Sequence, residues 1–404
     1  MIEGKTTLAQ PTAVIVAIMF GLAGPVLAMA PLGMAPLLMA GALLATGAEY
    51  ASTRNWPEPP RGAVLSLGAL FVWCAVSLLW DIDPKDGLRK MADLMLILGA
   101  LLALLGLGGR LSQDQRRLCG LWLAGGLAVG LILLVVETGF DFPLYRMAKG
   151  NSDPKLVDLV ESKRAVDALP LLVWPAALAL AALGRQGLGI ALALVFALAC
   201  TAWTASSATL GMAVSLVILT LSVWMPVTVR RLLMASTLFA FALVIPLAIV
   251  AYDHGGTHAQ GLKRSGQHRM EIWRFAAEKS LERPLFGHGF DSSRAVPNGN
   301  EVSAFQAPDK PIIPLHPHNG FLQIWLELGL VGVVLSSVAL LFGLRAVGRW
   351  PTVTGRYALA GYAAAFVIAG LAFGIWQSWW LATLAFSVAS CHAMAPGAPR
   401  VDHA

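Results

Sequence analysis

The chain has 404 residues, of which 57% are hydrophobic and only 13% charged, with a net charge of +6 and a mean hydropathy of +0.69. Soluble domains carry about 25% charged residues, so water-soluble, disordered and nucleic-acid-binding classes are excluded and no nucleic-acid partner is expected. What remains is an all-α polytopic integral membrane protein, since each transmembrane helix takes about 20 apolar residues. Cys74, Cys119, Cys200 and Cys391 stand far apart in or beside apolar runs, as packing residues rather than a disulfide framework or metal set. The apolar run from Ala13 follows a short polar start, without the basic region and cleavage site of a signal peptide, and predicts a retained first helix.

Hydropathy predicts about 12 transmembrane helices, near 11–29, 31–49, 62–80, 91–109, 118–137, 165–183, 187–204, 207–226, 231–252, 319–344, 355–373 and 376–394. The chain thus divides into 1–252, holding helices one to nine with a polar extracytoplasmic loop at 138–164, then a large periplasmic loop at 253–318, then 319–404 with the last three helices and a cytoplasmic tail. With the N-terminus cytoplasmic, every short interior connector on that side carries an arginine, among them Arg54, Arg110, Arg185, Arg230 and Arg345, as positive-inside sorting requires. Both termini are then cytoplasmic and both long loops face the opposite side.

That side concentrates the chemistry. Asp81-Ile82-Asp83 fits a D-x-D metal motif and equally a common turn before Pro84. Lys85, Arg89 and Lys90 follow, with Asp86/Lys90 and Arg89/Asp93 spaced i, i+4 as helix-end ion pairs. Arg164 begins the sixth span beside Lys163 and Asp167. Together with Arg269 these bases predict a cationic extracytoplasmic chamber suited to a polyanionic lipid head group.

Six of the eight histidines fall within 253–318 (His254, His258, His268, His288, His316 and His318), and a loop this long is functional or disordered. Residues His268 to Leu281 predict an amphipathic helix with Trp273, Met270, Ala276, Ala277 and Ser280 on one face and Glu271, Arg274, Glu278 and Glu282 on the other. Arg269 falls within the apolar face, either snorkelling past Trp273 to lipid phosphates or aimed into a bundle cavity for bidentate phosphate contact. Asn319, Gln323 and Glu327 recur at i, i+4 and i+8 of the tenth helix, and an intramembrane carboxylate normally faces the bundle interior. His318 heads that stripe as a helix cap or, with His316, a metal ligand. No ligand set at zinc-like spacing completes the last reading, and no P-loop or dinucleotide fingerprint occurs, so no metal and no cofactor are expected.

The run Arg269-Met-Glu-Ile-Trp273, Arg283-Pro-Leu-Phe-Gly-His-Gly-Phe290 and His316-Pro-His318-Asn319-Gly-Phe-Leu-Gln323-Ile-Trp-Leu-Glu327-Leu-Gly329 resembles the O-antigen ligase and polymerase superfamily. About twelve spans with one dominant loop are most similar to its ligases. The resemblance implies a glycosyltransferase of the bacterial inner membrane with a periplasmic active site. It would move glycan from undecaprenyl diphosphate to lipid A-core by metal-independent inverting transfer. His318 matches the family's base, with His316 as the fallback, and Arg269 and Arg164 match its arginines. Arg89, Lys90, Asn319, Gln323 and Trp273 are expected around the substrates. The partners implied are the lipid-linked donor, the lipid A-core acceptor and membrane lipids. A polymerase of the same superfamily and a non-catalytic lipid or anion transporter are the alternatives.

Overall fold

The computed structural model describes residues 7–140, 142–149, 163–259, 261–305 and 310–395; the expected loop at 138–164 and both termini fall largely outside them. The described residues are all-α, with one isolated antiparallel bridge, Val302 to Pro311. In chain order the helices are α1 (Gln10–Met29), α2 (Met34–Thr53), α3 (Arg61–Ser77), α4 (Pro84–Gly108), α5 (Gln113–Gly139), α6 (Pro143–Lys149), α7 (Pro170–Ala182), α8 (Gln186–Ala202), α9 (Ser206–Trp224), α10 (Pro226–Asp253), α11 (Arg264–Glu282), α12 (Gly320–Val347), α13 (Thr352–Leu371) and α14 (Ser378–Met394).

Each of the twelve expected spans coincides with a helix. Seven are long and apolar enough to cross a membrane, and α3, α7 and α8 are shorter apolar helices. The chain is therefore a multi-pass membrane protein. Local signals explain several helix starts: Pro84 opens α4 at the position where its missing N–H costs nothing, and Ser112 with Gln115 forms a capping box on α5. The shortest apolar helix is the most enclosed. Every residue of α7 from Pro170 to Ala181 is buried, as expected of a helix apolar all round, and α5, α8, α13 and α14 pack against it.

A second core joins α3, α4, α10 and α12 through Cys74, Leu94, Phe241 and Leu328, and draws in Phe290 and Trp376 from connectors. Here α12 is broken. Gly329 has φ 62 and ψ −162, a region essentially open to glycine alone, and the helical hydrogen bonds that the break removes must be replaced inside the protein. The turn after α11 replaces them. His288 N–H donates to Leu326 O (2.9 Å), Gly289 N–H to Glu327 O (2.9 Å), and Leu330 N–H to Pro284 O (2.8 Å). The Trp73 indole N–H donates to Leu328 O at 3.1 Å. A Cβ on Gly329 would lie 2.5 Å from the Leu285 backbone. Gly329→Ala is therefore expected to cost about 3 kcal/mol or more, read as a lower melting temperature in detergent.

The predicted amphipathic helix is α11, but its faces differ from expectation in one respect. Glu271, placed on the polar face by spacing, is buried. Residues 299–305 fold over it, so that Ser303 Oγ and Ala304 N–H (2.9 Å) donate to its carboxylate.

Candidate functional site

The α3–α4 connector, the long loop, the start of α12 and the α13–α14 connector (372–377) meet at one end of the bundle. Asn319 caps α12, its Oδ1 accepting from Phe321 N–H (3.0 Å) and Leu322 N–H (3.1 Å). The residue before it, His318, is in left-handed backbone conformation with φ 55. The rings of His316 and His318 stand 4.3 Å apart, edge to face. Trp273 Nε1–H donates to Pro317 O at 3.0 Å, tying α11 to the peptide between the two histidines.

The hydrogen bonds separate the histidines by role. His254 Nδ1 meets Val250 O, His268 Nε2 meets Ile312 O and His288 Nε2 meets Lys279 O, each at 3.0–3.1 Å. A carbonyl only accepts, so in each case the ring nitrogen carries the proton and serves as a strut. His318 Nδ1–H likewise donates to Ala372 O at 2.7 Å. Its tautomer is thereby set, and Nε2 keeps the lone pair. His316 differs: its Nδ1 accepts from His318 N–H at 3.2 Å, and its Nε2 stands 3.2 Å from Gln377 Nε2.

Burial holds the pKa of His318 below the usual histidine value; the Ala372 bond opposes that shift, and the positive charges of Arg269, His268 and Lys163 reinforce it. His316 is pushed down to about 3 by burial, then by His318, Arg294 and Arg269. Both rings are therefore neutral near pH 7, as a proton acceptor must be.

Arg269 reaches the end of α13, with Nη1 donating to Leu371 O at 2.6 Å. Buried Asp167, held by Ser207 Oγ–H at 2.9 Å, is the acid whose charge acts on it. Arg164 is half-buried at the start of helical residues 163–168; the charge from this segment that acts on His318 is that of neighbouring Lys163.

The other basic cluster is placed differently from the spacing-based expectation. Lys90 pairs with Asp93 (3.3 Å) and donates to Ser378 Oγ (3.3 Å). Asp86 pairs instead with Arg294 (3.2 Å), which also holds Asp291 (3.1 Å). Arg89 is exposed. Asp81 and Asp291 are each pushed up to about 6, mainly by burial. Acids thus answer the bases around Lys90, and this part of the chamber is mixed in charge. Asp93 answers Lys90 locally, whereas the Arg294–Asp291 pair reaches Asp86 from a distant segment that spacing alone does not bring there.

Gln377 escaped the sequence reading, as did the donors that gather on Glu327, whose carboxylate the polar stripe placed toward the bundle interior. Glu327 is fully buried and accepts from Asp291 N–H (3.0 Å), Ser293 N–H (3.3 Å), Ser293 Oγ, Gln323 Nε2 (3.0 Å) and Trp376 Nε1. Gln323 is completed by Ile375 N–H on its Oε1 at 2.8 Å. Asn319 and Gln323 therefore spend these oxygens on the scaffold. Among the described residues no group of three or more His, Cys, Asp or Glu side chains could hold a metal ion. A separate cavity of about 430 Å³ opens beside the break in α12, lined by Trp80, Phe286 and Arg283 among others.

The fold and this cluster define a multi-pass membrane protein with a His/Arg centre at one end of its bundle. Residues 191–337, which contain Arg269, His316, His318 and Glu327, are similar to the family described as O-Antigen ligase. Relatives provisionally named polysaccharide ligases include one from Rickettsia felis, 25% identical over 321 residues, covering 77% of this chain and 75% of the relative. A second, from Rickettsia conorii, is 25% identical over 319 residues (77% and 74%). One from Rickettsia bellii is 31% identical over 159 residues (37% and 38%).

Proposed function

We propose that the chain is an O-antigen ligase of the bacterial inner membrane, moving glycan from undecaprenyl diphosphate to a sugar hydroxyl of lipid A-core at the periplasmic face. The observation that carries this reading is His318: its Nδ1–H is committed to Ala372 O, so a neutral imidazole offers Nε2 as a base. The acceptor hydroxyl gives its proton to that nitrogen while its oxygen attacks the anomeric carbon from the face opposite the diphosphate. The bond from that carbon to the phosphate oxygen breaks, configuration inverts, and undecaprenyl diphosphate leaves. Arg269 takes up the charge that develops on the leaving group, with Lys163 and Arg164 as neighbouring cations; charge stabilisation of this kind is usually the largest single catalytic contribution. Arg294 and Lys90, both engaged by acids, serve the outer rim. The names of the Rickettsia relatives support ligase chemistry, and the activated donor supplies the energy.

The test uses purified protein with undecaprenyl-diphosphate-linked glycan and EDTA, with and without lipid A-core. Product only with lipid A-core is the expected result. Longer lipid-linked glycan without the acceptor marks a polymerase, and donor binding without turnover marks a transporter.

A further inference from the structure

We infer that Gln377 is a positioning residue for the histidine pair: its side-chain oxygen accepts the Nε2–H of His316, which leaves His316 Nδ1 bare to hold the backbone N–H of His318.

The argument starts from proton counting. A neutral imidazole has one N–H and one lone-pair nitrogen. His316 Nδ1 accepts from His318 N–H, so the single ring hydrogen is on Nε2. That hydrogen faces the Gln377 amide nitrogen at 3.2 Å, and two donors cannot bond. The other amide atom, Gln377 Oε1, is buried with no partner, an arrangement that folded proteins avoid. A half-turn of the amide about its last bond sets Oε1 opposite the His316 hydrogen, so that a donor meets an acceptor and the oxygen gains its partner.

The surroundings hold this arrangement in place. Gln377 begins α14 but makes no side-chain cap to it, so the amide has no competing local duty. Its backbone is anchored by Leu381 N–H on its carbonyl (2.9 Å) and by its own N–H on Gly374 O (3.3 Å). The His316 ring lies directly on bare backbone at Gly374, where an added Cβ would come within 2.7 Å of Cγ and Cδ2. The ring therefore has little room to rotate. At the far end of the relay, His318 needs support, because a non-glycine residue at φ 55 is uncommon and strained. The bond from its N–H to His316 and the bond from its ring to Ala372 O fix that turn from two sides. Gln377, Ala372 and Gly374 all belong to the short α13–α14 connector, which thus sets the geometry of both histidines.

The inference rests on His318 being the base, so one readout is independent of turnover. Full-length protein labelled with 15N-histidine in lipid nanodiscs distinguishes protonated from bare ring nitrogens, with His316→Asn assigning the signal. The proton is expected on Nε2 of His316; a proton on Nδ1 overturns the assignment. In the transfer assay, Gln377→Leu lowers kcat on the order of 100-fold, the scale of an angstrom-sized misplacement. The KM for lipid-linked donor stays unchanged, and Gln377→Glu, which keeps an acceptor, recovers most of the loss. Unchanged kcat in Gln377→Leu, or a raised KM with normal kcat, overturns the positioning role. An Nε2 proton in a wild-type protein that transfers no glycan sinks the ligase reading and leaves the tautomer lock standing.

Discussion

His318→Ala is expected to reduce glycan transfer by roughly 10²- to 10⁴-fold, the usual contribution of a general base, while the protein stays folded and binds the lipid-linked donor. The ring's bond to Ala372 O is lost, at a cost of about 1 kcal/mol, while the bond from His318 N–H to His316 remains, so the variant is expected to stay folded with a slightly lower melting temperature. Near-normal transfer by His318→Ala would falsify the assignment of the base. The pH profile offers a second reading. A base works only when unprotonated, so the rate falls as pH drops through the folded-state pKa of His318. Burial, Arg269, His268 and Lys163 hold that pKa below the usual value, which displaces the acidic limb of the profile to lower pH. Removing a neighbouring positive charge relieves part of the shift, so Arg269→Ala should move the limb back toward higher pH in whatever activity survives. A limb that moves the other way would mean that a different group is titrating.

Much of this centre was legible in the sequence because it is built from local signals. An apolar stripe at helical spacing predicted 268–281, and α11 runs over Arg264–Glu282. The step from His318 into an apolar run predicted the start of α12, and Asn319 is its cap. The placement of both histidines beside Arg269 follows from those two elements sharing one end of the bundle. What the sequence left hidden depends on partners far along the chain. Nothing near Gly329 marks it as a break, because glycine is common in transmembrane helices, and the replacement hydrogen bonds come from residues 284–289. The 372–377 connector passed as a two-residue turn between spans, yet its Ala372 carbonyl holds the His318 ring and its Gln377 amide meets His316, while Leu371 O just before it holds Arg269. The Asp86/Lys90 spacing misled for the same reason, since Arg294 reaches Asp86 only in the folded chain, leaving Lys90 to Asp93.

The polar stripe of α12 carries the largest expected effect on stability. Glu327 lies two residues before the break, fully buried, and gathers donors from the 291–293 turn, from Gln323 and from Trp376 of the α13–α14 connector. A carboxylate has two oxygens and about four lone-pair sites, so it can serve several donors where no neutral side chain of its size can. In Glu327→Ala these donors lose their acceptor with no water to replace it, and each orphaned group costs about 1–3 kcal/mol. The sum, discounted for relaxation, is expected to exceed roughly 4 kcal/mol, at the extreme end of single substitutions. Glu327→Gln keeps one oxygen but turns an N–H₂ toward other donors, so it should fall between wild type and alanine. Melting of the detergent-solubilised variants in that order, with early proteolysis within 291–305, is the predicted outcome. The effect should reach the chemistry as well: Trp376 adjoins Gln377, and Gln323 holds Ile375 N–H, so releasing the hub loosens the connector that positions both histidines. A Glu327→Ala protein that melts with wild type and transfers glycan at the normal rate would show that the connector is held by its helices alone.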